Sequence, residues 1–255
     1  MARSYWLLVW LIFPQSIGCD SSISESTGQL QRSSNSSTKG ALSNDDTGRS
    51  DVPSLDVAYD LLAKGDYDKA INAYTEAIRL GPGNSDAYTN RGLCHEKIGN
   101  LEKALSDYSE AIRLNPRDSI AHYNQGNIWY LKREFEKAIS CFDKAIAIDR
   151  EFLQAYVTRG NMWYEKGDYD KAIKDFDEAI RINPDDAMTH NNRGYAWLAK
   201  GNVERAIADY TSAIRIDQKF SLSYYNRATA WERMGDKERA KIDLDEAERL
   251  DRLPK

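Results

Sequence analysis

The stretch that decides the fold lies at residues 167–184 and reads GDYDKAIKDFDEAIRINP. Gly167 and Asp168 are turn-forming residues, and Pro184 cannot continue a hydrogen-bonded helix. Between them, apolar residues recur at the three- and four-residue spacing of one helix face. The stretch therefore predicts a turn followed by an amphipathic α-helix that ends before Pro184. Its apolar face consists of Ala172, Ile173, Phe176, Ala179 and Ile180.

The same pattern recurs along the chain with a period of 34 residues. Taking Ala172 as position 20 of its repeat divides residues 51–254 into six repeats without an insertion or deletion. A period of this length is typical of architectures in which each unit stacks on its neighbours. The residues that keep the period include Trp129, Trp163, Trp197 and Trp231; Gly92, Gly126, Gly160 and Gly194; and Ala70, Ala104, Ala138, Ala172, Ala206 and Ala240. The repeats are 51–84, 85–118, 119–152, 153–186, 187–220 and 221–254.

These repeats resemble the tetratricopeptide repeat (TPR), and the stretch from Gly167 to Pro184 is close to its consensus. The resemblance implies an all-α fold, a right-handed TPR superhelix (α-solenoid) of six helix-turn-helix repeats, each with a helix A and a helix B. The turn between them falls on Gly-Asp or Gly-Asn, and on Arg133-Glu134 in the third repeat. Small residues at positions 8 and 20 lie equally far from this turn, so we expect them to meet across the hairpin.

Two charged positions of the repeat change together. Position 7 is Arg and position 23 is Asp in four repeats, whereas repeat one has Val57 with Ala73 and repeat three has Gln125 with Cys141. Both positions lie eight residues from position 15, so an antiparallel hairpin places them at one level. We predict partly buried ion pairs between helices A and B, with a structural role rather than an acid/base one. The pairs are Arg91 with Asp107, Arg159 with Asp175, Arg193 with Asp209, and Arg227 with Asp243.

The sixth repeat differs on the face that a following repeat would cover. Positions 21 and 28 are Ile or Leu in repeats one to five, but they are Lys241 and Glu248 in repeat six. Terminal repeats of such arrays have polar outer faces because these faces meet water. We expect the array to end here, without a seventh repeat or a separate C-terminal domain.

The N-terminus predicts export. An apolar run from Trp6 to Phe13 is followed by small residues and Cys19, which is the order found in a secretory signal peptide, here residues 1–18. The run is far shorter than the roughly 20 residues of a transmembrane helix. Ser16-Ile17-Gly18-Cys19 resembles the lipobox of bacterial lipoproteins, in which the Cys is acylated and becomes the new N-terminus. We expect lipidation at Cys19; ordinary cleavage, giving a secreted or soluble periplasmic protein, is the alternative.

Residues 19–50 are rich in Ser, Thr, Gly and Asn and poor in large apolar side chains. Such a segment cannot bury enough surface to offset its conformational entropy. We expect a disordered tether with a root-mean-square reach of roughly 30 Å between the lipid anchor and the repeats. The predicted location is the cell envelope, at a bacterial membrane.

Composition and motifs argue against several classes of function. The chain has 35 Lys and Arg against 40 Asp and Glu, so it lacks the basic excess that nucleic-acid binding requires. Its three cysteines have no CxxC spacing, and His95, His122 and His190 lack the spacing of a metal site. Nucleotide-binding and nucleophile motifs are absent from the sequence. We expect no enzyme activity, no cofactor and no metal.

The resemblance places ligand binding on a concave surface formed by positions 2, 5, 6, 9, 12 and 13 of helix A. Asn dominates position 6 and recurs at position 9, with Tyr residues beside it. Amide side chains offer donors and an acceptor, so a row of them can pair with the backbone of an extended peptide. Tyr rings add rigid contact area. The candidate peptide-binding residues are Asn90, Asn124, Asn127, Asn161, Asn192, Asn226, Tyr123, Tyr130, Tyr164, Tyr195 and Tyr225.

Two other interpretations of these residues stay open: the Asn residues are tolerated on an exposed helix face, and the Tyr residues pack between neighbouring A helices. A carboxylate clamp, by which some members of the family hold a peptide C-terminus, is not favoured because positions 2, 5 and 6 lack the Lys and Arg that it needs. We favour an adaptor that binds a peptide segment of another protein and is held at a membrane by its lipid. The alternative is a structural or self-assembling protein, a homo-oligomer with no ligand in the groove.

Overall fold

The computed structural model of the chain describes residues 55–252, which form twelve α-helices and no β-strand. The predicted signal peptide, Cys19 and the tether lie outside the described residues, as do residues 51–54. The all-α fold class and the tandem helix-turn-helix repeats are confirmed. None of the helices in the described range is both long enough and apolar enough to span a membrane. The helices are α1 (Leu55–Ala63), α2 (Tyr67–Leu80), α3 (Ser85–Lys97), α4 (Leu101–Leu114), α5 (Ser119–Leu131), α6 (Phe135–Ile148), α7 (Leu153–Glu165), α8 (Tyr169–Ile182), α9 (Ala187–Ala199), α10 (Val203–Ile216), α11 (Ser221–Met234) and α12 (Lys237–Asp251).

The stretch at residues 167–184 folds as its sequence predicts. Asp168 is the N-cap of α8, and its side chain accepts a hydrogen bond of 3.2 Å from the backbone N–H of Lys171. Helix α8 ends at Ile182, two residues before Pro184. The buried face of the helix consists of Ala172, Ile173, Asp175, Phe176 and Ala179.

The hairpin turns pass through the left-handed backbone region. Gly167 has a φ of 79° in the fourth repeat, and Arg133 has a φ of 63° at the equivalent place in the third. Within residues 55–252, Arg133 is the one non-glycine residue with a positive φ. Its Cβ makes this conformation unfavourable, so the third turn keeps the geometry of the others with some backbone strain. The predicted turns are confirmed.

Helices A and B of a hairpin approach each other closely at position 8. A Cβ added to Gly160 would lie 2.8 Å from Cε1 of Phe176, and a Cβ added to Gly194 would lie 2.7 Å from Cε1 of Tyr210. The expected meeting of positions 8 and 20 is seen at Gly194 and Ala206, but an aromatic side chain lies closer to the glycine than position 20 does. An aromatic ring at position 24 covers the glycine, and position 20 contributes the carbonyl oxygen of Ala206, 3.2 Å from the added Cβ of Gly194. At Gly160 and Gly194 a side chain at position 8 would collide with this ring, so glycine allows the close approach there.

The described residues fall into two compact units that divide after Leu114. The first unit contains α1–α4, in which α1 packs on α2, α2 on α3 and α3 on α4. Its core is centred on Tyr74 and Cys94, both fully buried.

The second unit begins at Asn115 and contains α5–α12. Each of these helices packs on the next along the chain, and α7 also packs on α9 and α9 on α11. No comparable packing joins consecutive B helices among the described residues of this unit. Because its A helices lie closer together than its B helices, α5, α7, α9 and α11 line the inner side of the unit. We call this side the A-helix surface.

All four predicted ion pairs are present. In the fourth repeat, Nη2 and Nε of Arg159 donate to the two carboxylate oxygens of Asp175 at 2.6 and 2.8 Å. Across the four pairs, the Asp side chains are 5–8% exposed and the Arg side chains 17–21%. In the third repeat, Sγ of Cys141 lies 3.5 Å from Oε1 of Gln125. A neutral contact therefore replaces the ion pair there.

Each paired Arg also reaches the preceding repeat, which the sequence analysis did not predict. Nη1 of Arg159 donates to Asp143 at 2.5 Å, and Nη1 of Arg193 donates to Asp177 at 2.7 Å. One guanidinium thus joins three helices of two adjacent repeats. In the other two repeats the acceptor is a hydroxyl, with Arg91 bonded to Thr75 and Arg227 to Thr211.

The outer face of α12 is polar, as predicted for the sixth repeat. Lys241 and Glu248 are exposed, and Glu248 accepts a hydrogen bond of 2.8 Å from Nη2 of Arg252. At the matching positions of earlier repeats, Ile146 and Ile173 are buried. The change from Ile to a charged residue therefore follows the change in exposure.

Candidate functional site

Asn161 and Asn192 form the centre of the A-helix surface. Nδ2 of Asn192 in α9 donates to Oδ1 of Asn161 in α7 at 3.3 Å, and both side chains are half-buried. This bond leaves the Nδ2 donors of Asn161 and the Oδ1 acceptor of Asn192 without a partner in the described part of the chain. One pair of side chains therefore presents a donor and an acceptor side by side, as the backbone of an extended peptide requires.

Asn226 has a different role from the one predicted. Its side chain is 8% exposed, and its Nδ2 donates to Oδ1 of Asn191 at 2.9 Å. The same oxygen accepts a hydrogen bond of 3.1 Å from Oγ of Ser223. These bonds join α11 to α9 inside the unit, so Asn226 holds two repeats together. Asn191 and Ser223 were not among the predicted site residues. The sequence signal for them is an Asn at position 5 of the fifth repeat, where other repeats have larger or hydroxyl side chains.

Asn90 and Asn124 are also buried, at 7% and 9% exposure. In the first unit, Nδ2 of Asn90 donates to the backbone oxygen of Asp86 in its own helix at 2.8 Å. Asn124 and the half-buried Asn127 both lie on α5 in the second unit. The interpretation that position 6 is an exposed helix face is therefore wrong, because three of its Asn side chains are almost fully covered. The Asn side chains therefore do not form one continuous series of open amides, because those of Asn90 and Asn226 are hydrogen-bonded within the protein.

Three of the candidate tyrosines link neighbouring helices through their hydroxyl groups. The Tyr123 hydroxyl lies 3.3 Å from Oγ1 of Thr158, and the Tyr130 hydroxyl donates to Oε1 of Glu165 at 2.6 Å. The Tyr225 hydroxyl donates to Asp251 at 3.1 Å. These contacts support the packing interpretation for the three residues.

Tyr164 and Tyr195 lie next to the Asn161–Asn192 pair, each one helical turn further along α7 and α9. Their rings meet edge to face with centroids 5.7 Å apart. Burial raises the pKa of both phenols, so they stay protonated at neutral pH. The structure thus brings four candidate residues together: two amides and two neutral phenol rings.

Arg233 is a residue of this surface that the sequence analysis missed. It lies in the last turn of α11, and its Nη1 donates to the backbone oxygen of Leu198 in α9 at 3.1 Å. The signal in the sequence was a single Arg at position 13 among the mainly uncharged inner positions of repeats three to six.

Models of the tetratricopeptide repeat family match most of the described residues. The matches cover residues 55–114, 119–152, 160–201, 189–220 and 222–252. The chain is built of tetratricopeptide repeats. A search of curated proteins gave no significant match.

Solved structures of TPR proteins share this fold. YrrB, described as a TPR protein with an unusual peptide-binding site, is 22% identical; the match covers 71% of this chain and 93% of YrrB, with a TM-score of 0.63. MamA from Desulfovibrio magneticus RS-1 is 20% identical, over 66% of this chain and 95% of that one, with a TM-score of 0.62. The C-terminal part of a TPR repeat-containing protein from Cytophaga hutchinsonii is 19% identical, over 77% and 79% of the two chains, with a TM-score of 0.67.

The histidines and cysteines of the TPR array are placed for packing. Nε2 of His122 and of His190 lies within 3.2 Å of a prolyl carbonyl oxygen, and burial lowers the pKa of His122. Burial raises the pKa of the Cys94 thiol to about 12, and it also raises that of Cys141. Both thiols are therefore protonated and poor nucleophiles. In residues 55–252, no group of three His, Cys, Asp or Glu side chains is arranged to hold a metal ion.

Proposed function

We propose that this TPR protein is an exported, lipid-anchored adaptor that holds an extended peptide segment of another protein on the A-helix surface of its second unit. Recognition uses a preformed surface and involves no covalent step. The single observation that carries the proposal is the Asn161–Asn192 pair, whose remaining donors and acceptor point to a backbone ligand.

The chemistry of the surrounding surface supports a peptide ligand. An extended backbone needs alternating acceptors and donors, and half-buried amides supply both. Tyr164 and Tyr195 add rigid, amphipathic rings, which lose little conformational entropy on binding. The rest of the unit is tied together by the four-repeat core and by the Arg–Asp pairs, so the surface is held in shape before a ligand arrives.

The comparison with YrrB supports the fold-level part of the proposal. YrrB is described as having a peptide-binding site, and it shares this fold. The identity of 22% does not transfer the site residues, so the proposed residues rest on the geometry of this chain alone.

Export and anchoring rest on residues 1–50. The apolar run ending at Phe13 and the small residues before Cys19 support cleavage and acylation at that cysteine. A second acyl chain makes membrane attachment stable, and the Ser-rich tether separates the repeats from the bilayer. Mass spectrometry of the mature N-terminus tests this directly: we expect an acylated Cys19, and Cys19→Ser should move the protein from the membrane to the soluble fraction. A mature chain with a free, unmodified N-terminus at another residue would contradict the anchor.

Peptide binding is tested by selecting random 12-residue peptides on the full chain purified in detergent. Their affinities are then measured by fluorescence polarisation against the wild type, Asn161→Ala/Asn192→Ala and Asn72→Ala. Asn72 is an exposed residue of α2, and it controls for the loss of an amide elsewhere. Loss of two hydrogen-bonding side chains should weaken binding at least tenfold, since each contributes about 1 kcal/mol.

The controls separate binding from folding and assembly. Circular dichroism must show that the double variant is folded, and Asn72→Ala should bind like the wild type. Light scattering across protein concentrations tests the self-assembly alternative. If the double variant binds the selected peptides as tightly as the wild type does, the site lies elsewhere and the proposed surface is wrong.

A further inference from the structure

Arg233 is an exposed residue whose guanidinium makes one hydrogen bond to the described part of the protein and keeps further donors open. Its Nη1 is bonded to the Leu198 carbonyl oxygen at 3.1 Å, which fixes it between the fifth and sixth repeats. Its Nε and Nη2 make no hydrogen bond or ion pair with any residue in the 55–252 range. A guanidinium fixed in this way can donate to both oxygens of one carboxylate.

Arg233 differs in this respect from the other arginines that join repeats in the second unit. Arg159, Arg193 and Arg227 each bind an Asp of their own repeat through Nε and Nη2. The same two groups are the ones that Arg233 leaves without a protein partner among the described residues. Arg233 therefore joins two repeats while its Nε and Nη2 stay open to a carboxylate from another molecule.

The nearby acidic side chains do not neutralise Arg233. Glu165 accepts the hydrogen bond from Tyr130, and Glu232 is exposed and precedes Arg233 on the same helix. Neither forms an ion pair with Arg233 in the part of the chain that the structure describes. A carboxylate of another molecule could therefore bind Nε and Nη2 of Arg233 without displacing a carboxylate of the described residues.

Tyr164 and Tyr195 lie close to this guanidinium. Burial raises the pKa of both phenols, and the positive charge of Arg233 opposes that effect on each. Tyr195 also packs against the cluster formed by Leu198 of α9, Tyr210 of α10 and Ala230 of α11. Its hydroxyl makes no hydrogen bond to a described residue, so it is a further donor for an anion.

We propose that Arg233 and the Tyr195 hydroxyl bind a carboxylate of the peptide held on the A-helix surface. The inference rests on the proposed function and names one chemical group of its ligand. The carboxylate accepts hydrogen bonds from Nε and Nη2 of Arg233, while the adjacent peptide backbone meets Asn161 and Asn192. An Asp or Glu side chain and a free C-terminus supply the same chemistry. The arrangement differs from the clamp considered for positions 2, 5 and 6, because Arg233 lies at position 13.

The probes are the 12-residue peptides selected on the full chain. Each peptide is synthesised with a free C-terminus and as an amide, and each Asp or Glu is replaced in turn by Asn or Gln. Affinities are measured for the wild type, Arg233→Gln, Arg233→Lys and Arg239→Gln. Arg239 is a matched control because it is exposed, stacks on Trp231 at 4.6 Å and lies on α12.

We expect Arg233→Gln to weaken binding at least tenfold, Arg233→Lys to weaken it less, and Arg239→Gln to leave it unchanged. Removing the critical carboxylate from the peptide should weaken binding to the wild type equally, but it should have little further effect on Arg233→Gln. This non-additivity identifies a direct pair, which a purely structural role of Arg233 would not produce. Sensitivity to C-terminal amidation would assign the carboxylate to the terminus, and sensitivity to a side-chain change would assign it to Asp or Glu.

Two outcomes overturn the inference in distinguishable ways. If binding depends on Asn161 and Asn192 but not on Arg233 or on any peptide carboxylate, the carboxylate site is wrong and the proposed function stands. If no selected peptide depends on Asn161 and Asn192, the proposed function and this inference both fail. Thermal unfolding of each variant, measured beforehand, excludes loss of fold as the cause.

Discussion

Replacing Arg159 by Met should be among the most damaging single changes in the second unit. Its guanidinium makes two hydrogen bonds to Asp175, whose side chain is 8% exposed. Burial already raises the pKa of Asp175 against the opposing effect of Arg159. Removing the guanidinium strands a buried carboxylate, so we expect a loss of about 3–5 kcal/mol in the free energy of unfolding.

The contact between Arg159 and Asp143 should contribute much less than the contact with Asp175. Asp143 is 54% exposed in this pair, so solvent screens the interaction. Exposed pairs contribute about 1 kcal/mol or less, and Asp143→Asn should cost no more than that. This variant is the control for the general loss of one negative charge.

The double variant Arg159→Met/Asp175→Leu removes both buried charges and leaves apolar side chains. Such replacements are often neutral or stabilising compared with the pair. We expect it to be at least about 2 kcal/mol more stable than Arg159→Met alone, because no charge is stranded.

The measurement is urea unfolding by circular dichroism, together with amide hydrogen exchange of α7 and α8. Exchange is needed because a repeat array does not have to unfold all at once. If the double variant is no more stable than the single variant, the buried carboxylate is not the source of the loss, and the account of the Arg–Asp pairs is refuted.

Three further predictions concern single side chains. Burial raises the pKa of Glu96 although the Tyr108 hydrogen bond opposes this, so the charged form of Glu96 destabilises the fold. Glu96→Gln should therefore be more stable than the wild type at pH 7, and this difference should vanish below the unfolded-state pKa of about 4.5. Urea unfolding of both proteins at the two pH values would test this. Arg133 has a φ of 63°, so Arg133→Gly should raise the melting temperature by relieving about 1 kcal/mol of strain; a lowered melting temperature would contradict this. The Tyr210 hydroxyl is buried without a partner in residues 55–252, whereas the Tyr108 hydroxyl donates to Glu96 at 2.8 Å. In chemical denaturation, Tyr210→Phe should therefore be neutral or stabilising, and Tyr108→Phe should lower the free energy of unfolding by about 1–3 kcal/mol. Equal losses of stability in the two variants would contradict this reasoning.

The hairpins and their ion pairs could be predicted from sequence because both depend on positions within one repeat. The turn residues, Pro184 and the joint occurrence of Arg159 and Asp175 are all separated by a fixed number of residues. Two antiparallel helices joined by a short turn bring such positions together whatever the neighbouring repeats do. The aromatic ring at position 24 was missed because matching positions by distance from the turn does not tell which side chain points at the glycine.

The candidate surface was harder to predict because it depends on contacts between repeats. Asn192 and Asn226 occupy the same position of successive repeats, yet Asn192 bonds Asn161 and Asn226 bonds Asn191. The packing of neighbouring A helices determines the hydrogen-bond partner of each amide. The sequence of a single repeat does not specify that packing. Arg233 was not predicted as a site residue because it is a single exposed Arg near a helix end, and such residues usually have no role beyond solvation.

The most direct measurement is an NMR titration of the isotopically labelled full chain in detergent with one selected peptide, following the side-chain amide signals of the Asn residues. The account predicts that the signals of Asn161 and Asn192 shift with the peptide concentration that gives half-saturation in fluorescence polarisation. The signal of Asn72, on α2 in the first unit, should stay in place. Shifts at Asn72 and at B-helix amides with none at Asn161 and Asn192 would contradict peptide binding on the A-helix surface.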